Sequence, residues 1–293
     1  MVPFRRGATP DMAESPVAVD APREFAFSEA DFRSLAQLAS RYAGIVLAES
    51  KRNLVYNRLS RRLRALKLSS FREYRELLAN DEREFENFIN SLSTNHTKFF
   101  REEHHFDHFR THVAVPFAQS AGRDFGGRLR IWSAGCSTGE EPYTIAFVLK
   151  REIHNAEDFD IRILATDIDT DVLTKAARGE FAATALADVP QAYRGFFVGE
   201  GADKIVVDRS ISSLIAFRQL NLIQPWPFRG LFDAIFCRNV MIYFDSPTKL
   251  GLVRRFTHQI KPGGWLYIGH SESLLGSHEG LQFVGRTIYR RTK

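Results

Sequence analysis

An α/β fold of the doubly wound, Rossmann-like kind, interrupted by a small β-subdomain insertion and preceded by an all-α helical domain, is what the 293-residue sequence predicts. Three observations carry that prediction. Short apolar runs at 129–133, 161–166, 232–237 and 264–269 alternate with helix-type patterns at 140–152, 171–178 and 247–260, as in a mostly parallel sheet that binds ligands at the carboxyl ends of its strands. The first of those strands runs into a turn of small residues that opens a helix. Residues 28–92 instead show helical periodicity.

Composition narrows the setting. The chain has room for one large domain, or a medium one and a smaller one, with an ample core. Its two cysteines, Cys136 and Cys237, fall at strand ends without disulfide or metal spacing, which points to a reducing cytoplasm. No apolar run is long enough to span a bilayer and the amino terminus has no signal-peptide pattern, so a soluble protein without membrane insertion is expected. The net charge of +5 is mild, and its distribution matters more than its sum.

Residues 1–27, rich in Ala, Pro and small polar groups, are expected to form a flexible tail. Ser28 then caps a helix with Asp31 at the capping-box position; Phe32, Leu35, Leu38 and Ala39 form its apolar stripe and Gly44 ends it. A second helix over roughly 50–68 aligns Val55, Leu59, Leu63 and Leu66. From Lys51 to Lys67 it carries seven basic residues and no acidic one, with Lys51, Arg58 and Arg61 on one flank and Arg62 beside them. Most charge runs are solvated faces, but a single sign argues for an acidic partner, and the scarcity of aromatic residues favours a protein over nucleic acid. Helices near 71–78 and 82–92 complete a small bundle.

A connecting segment, 93–127, follows. It opens on polar residues from Ser93 to Lys98, then Phe99, Phe100 and Arg101. His104, His108 and His112 come next at i, i+4, i+8 on one helix face; lacking carboxylate or cysteine partners, this ladder is not expected to hold a metal.

The stretch from Leu129 to Lys150 reads as strand, turn and helix. Gly135 and Gly139 free the backbone for close approach of a ligand, and Glu140, Glu141 and Pro142 suit a first helical turn. Their G-x-x-x-G spacing lacks the middle glycine of a dinucleotide fingerprint, and no Gly-Lys-Ser/Thr follows as in a Walker loop. Glu141 would repel a phosphate and welcome a cation, and S-adenosylmethionine is the adenosine compound that carries ammonium and sulfonium groups. Thirty-two residues after Gly135, Asp167 ends the next strand, where a carboxylate accepts ribose hydroxyls. Alone, Glu141 reads as a dipole-stabilising residue and Asp167 as a helix cap; on successive strand ends they favour an adenosine ligand without phosphates.

The alternation breaks between Phe181 and Asn221. A hairpin over 196–207, with its turn at Gly199–Lys204, and a further strand near 214–217 predict the β insertion, about 181–218, whose edge is open to a partner strand. The strand 232–237 then delivers Arg238 and Asn239 to its end, with Tyr243 close behind as either a site residue or a core aromatic. Asp245-Ser246-Pro247 caps the helix that stops at Lys261-Pro262-Gly263-Gly264, and the remaining segments include an antiparallel edge.

Four segments in order make the sequence similar to the chemotaxis receptor glutamate methyltransferases (CheR): Thr94-Asn95-x-Thr97-x-Phe99-Phe100-Arg101-Glu102, Ser137-Thr138-Gly139-Glu140-Glu141-Pro142-Tyr143, Ala165-Thr166-Asp167-Ile168-Asp169 and Phe236 to Phe244, with Gly269-His270-Ser271-Glu272-Ser273 behind them. The resemblance runs from about Ser28 to Arg290. It implies a receptor-contacting helical domain (28–92), cofactor contacts within 93–127, and an S-adenosylmethionine-dependent methyltransferase domain (128–293). It further implies cofactor contacts from Asn95, Thr97, Arg101, Glu141, Asp167, Asn221, Leu222, Arg238 and Asn239, with Arg101 and Tyr243 nearest the transferred methyl. The expected partner is the cytoplasmic helical domain of chemotaxis receptors, contacted by Lys51, Arg58, Arg61 and Arg62. A monomer is expected, working without the carboxyl-terminal receptor peptide that tethers some members, because the hairpin turn is short. A catalytically inactive signalling scaffold is the alternative; a nucleic-acid methyltransferase is disfavoured, since Arg238-Asn239-Val240-Met241 stands where Asp/Asn-Pro-Pro-Tyr/Phe is usual.

Overall fold

The computed structural model describes residues 23–199, 203–272, 274 and 279–292. Helix α1 (Glu29–Ala43) begins with the reciprocal Ser28–Asp31 capping box and ends at Gly44, whose φ of 71° is the left-handed conformation that suits glycine. A 3-10 turn at Glu49–Lys51 leads into α2 (Arg52–Leu66), followed by α3 (Phe71–Leu78) and α4 (Glu82–Leu92). Their apolar faces meet in one core that includes Leu35, Val55, Leu59, Leu63, Tyr74 and Phe88.

The expected tail is shorter than 27 residues. Phe25 and Phe27 are buried in the helical core, where the Phe27 ring packs 4.4 Å from that of Phe71, so the domain begins before Ser28. Residues 1–22 lie outside the described residues.

The connecting segment contains α5 (His104–Phe109), a π-helical turn over Arg110–Ala114 and α6 (Val115–Gln119). Pro116 has no N–H to give, which is consistent with the wider turn before it. The histidine ladder is spent on packing: His108 stacks on His112 at 3.9 Å and lies 3.0 Å from the Tyr267 hydroxyl, while His104 turns to the Arg286 carbonyl. Among the described residues no cluster of three or more His, Cys, Asp or Glu has metal-binding geometry.

The methyltransferase-type domain follows as β1 (Arg128–Ala134), α7 (Glu140–Glu152), β2 (Asp160–Asp167), α8 (Thr170–Arg178), β3 (Glu180–Ala182), β4 (Phe197–Gly199), β5 (Lys204–Val207), α9 (Arg209–Ser212), β6 (Ile215–Gln219), β7 (Phe232–Cys237), α10 (Ser246–Gln259), β8 (Ile260–Ile268), β9 (Leu281–Gly285) and β10 (Ile288–Arg291). The main sheet has the order β6-β2-β1-β7-β8-β10-β9; its first five strands are parallel and β10 and β9 close it antiparallel. From β1 the chain moves outward to β2 and β6, then returns to β7 on the other side. The carboxyl ends of β1 and β7 therefore flank the point where strand order reverses, the place such sheets bind ligands.

The predicted insertion is corrected at its end. The strand expected near 214–217 is β6, paired in parallel with β2 from Ile163↔Ile215 to Asp167↔Gln219, and belongs to the main sheet. The insertion's own sheet is β3-β5-β4. In the hairpin turn, Glu200, Gly201 and Ala202 lie outside the described residues. No helix among the described residues is long and apolar enough to cross a membrane.

Candidate active site

Every residue singled out for the cofactor or the chemistry lines one cleft between the helical domain and the strand ends. Asn95, Thr97 and Arg101 come from the segment after α4, Glu141 from the first turn of α7, and Asp167 from the end of β2. Asn221 and Leu222 follow β6; Arg238, Asn239 and Tyr243 follow β7. The cleft opens to solvent and mixes apolar walls with a few converging polar groups, as ligand sites do. Ala43 and Ile45 of the helical domain close one side of it. That domain is held in place by Val46 N–H donating to the Tyr243 carbonyl at 2.8 Å and Asn90 donating to Thr170 Oγ1 at 3.0 Å.

The turn after β1 owes its shape to glycine. Gly135 (φ 85°) has no room for a Cβ, which would overlap a methyl of Val240, and Gly139 (φ 102°) packs on Ala176. Ser137 and Asn239 also adopt left-handed backbone at the cleft wall, a conformation that costs a non-glycine residue on the order of 1 kcal/mol or more.

Arg238 organises the charges. Its guanidinium donates to Glu141 at 3.1 Å, to Glu102 at 3.2 Å and to the Arg101 carbonyl, and its side chain is 2% exposed. One cation thus faces two carboxylates, and the buried cluster keeps one negative charge in excess. Burial alone would push Glu102 up, but Arg238 and the His270 N–H hold it below the usual carboxylate range. Burial raises Glu141 instead, despite Arg238 and the 2.7 Å hydrogen bond from Ser133 Oγ. Asp167 accepts the Ser137 N–H at 2.8 Å and the Asp169 N–H at 3.0 Å, yet burial pushes it up to about 6. Asn95 donates to Asp169 at 2.7 Å and so ties the connecting segment to the β2 end. The Ser137 hydroxyl is buried beside these groups without a partner.

This donor set fits S-adenosylmethionine. An excess buried negative charge at Glu141 complements an ammonium, Asp167 retains acceptor capacity for two hydroxyls, and the unsatisfied Ser137 hydroxyl awaits a polar group. A phosphate would meet the Glu141 and Asp167 carboxylates at these strand ends.

Residues 30–93 match the family model described as "CheR methyltransferase, all-alpha domain", and residues 95–290 match "CheR methyltransferase, SAM binding domain". This chain belongs to the CheR methyltransferase family. Its cofactor is S-adenosylmethionine. It is 46% identical to a probable chemotaxis protein methyltransferase of Rhizobium etli over 85% of this chain and 95% of that one. Identity is 42% to chemotaxis protein methyltransferase 2 of Pseudomonas aeruginosa, over 94% of this chain and 98% of the relative. It is also 42% to the chemotaxis protein methyltransferase of Escherichia coli, over 92% and 93%.

Against the CheR expectations, the geometry divides the basic flank of α2. Lys51 and Arg61 are exposed. Arg58 points inward and donates to the carbonyls of Leu92 and Ser93 at 2.8 and 2.9 Å, and Arg62 pairs with the buried Glu84. Helical spacing places these residues on a flank but does not say that the flank meets α4. Sequence reasoning also gave no role to Glu102, Asp169 or Glu272. All three stood inside the quoted motifs, and only Glu272, beside Gly269 and two serines, carried a local signal.

Proposed function

We propose that this CheR-family protein transfers a methyl group to glutamate side-chain carboxylates on the cytoplasmic helical domain of chemotaxis receptors, acting in the cytoplasm as a monomer and yielding glutamyl methyl esters. The observation that carries this reading is the convergence on one cleft of all ten residues named for cofactor and chemistry, from both sides of a domain junction. When bound, the cofactor supplies an electrophilic methyl on a sulfonium sulfur. The chain binds and orients it: Glu141 for the ammonium, Asp167 for the ribose hydroxyls, and Asn95, Thr97, Asn221, Leu222, Arg238 and Asn239 around them.

The acceptor needs no general base, since a glutamate carboxylate is ionised at neutral pH. A carboxylate oxygen forms the new bond to carbon as the carbon–sulfur bond breaks, and opposite charges become a neutral ester and a neutral thioether. Such a step gains most from orientation and from exclusion of water. Arg101, whose Nη1 donates to the His96 carbonyl at 2.8 Å, retains donors to orient the incoming carboxylate. Tyr243, with its hydroxyl 3.5 Å from the Thr94 carbonyl, packs beside the methyl. Lys51 and Arg61 are the two groups of the basic flank available to an acidic receptor helix. Action without a peptide tether rests on the short hairpin turn of the sequence, 199–204; a tight complex with a receptor carboxyl-terminal peptide would overturn that part.

The test is methyl transfer from labelled S-adenosylmethionine to purified receptor cytoplasmic domains. The expected product releases methanol in alkali, as an ester does, and is lost when the receptor's methylated glutamates become alanine. Binding of S-adenosylhomocysteine without base-labile methyl on any receptor domain would refute the proposal and favour a scaffold.

A further inference from the structure

Behind the cleft lies a carboxylate that the chemistry above does not use. Glu272, 8% exposed, sits just past the end of β8 and reaches back to the loop after β7. Its Oε2 accepts the N–H groups of Asn239 and Gly269, each at 2.7 Å, and its Oε1 accepts that of Ile242 at 3.1 Å. Among the described residues no cation pairs with it, so backbone dipoles alone meet its charge. Burial raises its proton affinity and these N–H groups oppose that.

The contact is built tightly. Asn239 holds a φ of 61°, and a Cβ on Gly269 would come within 2.6 Å of both Glu272 Oε2 and Asn239 Nδ2. Gly269 thus leaves the space through which the carboxylate reaches the loop. The loop it grips, Asn239 to Tyr243, carries two cleft residues at its two ends. Asparagine tolerates the left-handed conformation better than other residues with a side chain, and the bond from its N–H to Glu272 fixes it there.

We propose that Glu272 is a positioning residue for methyl transfer: its carboxylate gathers the backbone N–H groups of the β7 loop and thereby sets Asn239 against the cofactor and Tyr243 beside the transferred methyl. The inference rests on the functional reading above, and two variants approach the contact from opposite sides. Glu272→Gln keeps size and one acceptor but turns an NH2 group toward N–H donors, and Gly269→Ala pushes the carboxylate away.

Binding of S-adenosylhomocysteine by calorimetry, receptor methylation kinetics and thermal unfolding are measured on both variants. Each is expected to unfold cooperatively, to lose about tenfold or more in S-adenosylhomocysteine affinity and in kcat, and to keep its KM for the receptor domain. Folded variants with wild-type affinity and kcat overturn the inference. Failure of the wild type to bind S-adenosylhomocysteine instead sinks the functional reading. Should neither variant fold, hydrogen exchange on the wild type decides: S-adenosylhomocysteine is expected to slow exchange at the Asn239, Ile242 and Gly269 amides, and unchanged rates overturn the coupling.

Discussion

Cofactor affinity should fall steeply with acid, because Asp167 must be ionised to accept ribose hydroxyls and burial pushes it up to about 6 in the free protein. With that value, nearly every molecule is competent at about pH 7.5, half at about pH 6 and about one in ten at about pH 5. A ligand that binds only the ionised form therefore loses about tenfold in affinity, about 1.4 kcal/mol, between neutrality and about pH 5, with a limiting slope near one decade per pH unit. Glu141, also raised by burial, steepens the slope wherever it too is protonated in the free protein. The assay is calorimetric titration with S-adenosylhomocysteine from about pH 8 to about pH 5 in buffers of different ionisation enthalpy. Below about pH 6 binding should release protons as the carboxylate gives up the one it held. Asp167→Asn should bind more weakly at neutral pH and lose one decade per unit of the acid slope. An affinity that stays flat to about pH 5, in protein that remains folded, would refute the assignment.

Other perturbations test separate parts. Arg101→Ala should reduce kcat by about a hundredfold or more while S-adenosylhomocysteine affinity changes far less; equal losses would remove Arg101 from the chemistry. Gly135→Ala, which combines a φ of 85° with overlap on Val240, should abolish cofactor binding and lower the melting temperature by several degrees, read by thermal unfolding with and without ligand. Glu84→Ala should cost about 1–3 kcal/mol in denaturant unfolding, since it leaves the buried Tyr74 hydroxyl, whose hydrogen bond to Glu84 is 2.9 Å, without its partner and unpairs the half-buried Arg62. Lys51→Glu with Arg61→Glu should raise the KM for receptor domains severalfold and leave cofactor affinity intact, and a salt-independent KM in the wild type would count against that surface.

The parts of the fold legible in the sequence are those whose signal is local. Strand β7 is buried at every position and announces itself by the apolar run from Ala234 to Cys237, and the Ser28–Asp31 box fixes the start of α1 within four residues. Strand β6 is different. Its half-buried Ile215-Ala216-Phe217 reads the same in a small insertion as at the edge of the main sheet, and only pairing with Ile163 to Asp167, some fifty residues earlier, decides between them. Phe25 and Phe27 were hidden for a related reason: they have no periodicity of their own and are ordered by rings on α2 and α3. At the site, residue types and strand ends named the cleft's walls. The bond pattern of Arg238, which depends on Glu102 and Glu141 arriving from two other elements, was beyond any spacing rule.

The arrangement of charge in the cleft accounts for both ends of the proposed reaction. Its inner wall carries Glu141 and Asp167, and Arg238 beside Glu141 is already committed to two carboxylates and a carbonyl. That wall takes a cationic, phosphate-free nucleoside and rejects a nucleotide. Along the segment from Asn95 to Arg101 the sign reverses: Arg101 faces the same cleft, and Lys98 near it pairs with Asp188 at 3.2 Å. In the proposed reaction an anionic acceptor would be drawn toward the Arg101 guanidinium. After transfer the ester would no longer meet Arg101 as an ion, and the thioether would keep the ammonium and ribose hydroxyls assigned to Glu141 and Asp167. No group on the chain then has to accept or give up a proton in the transfer step itself.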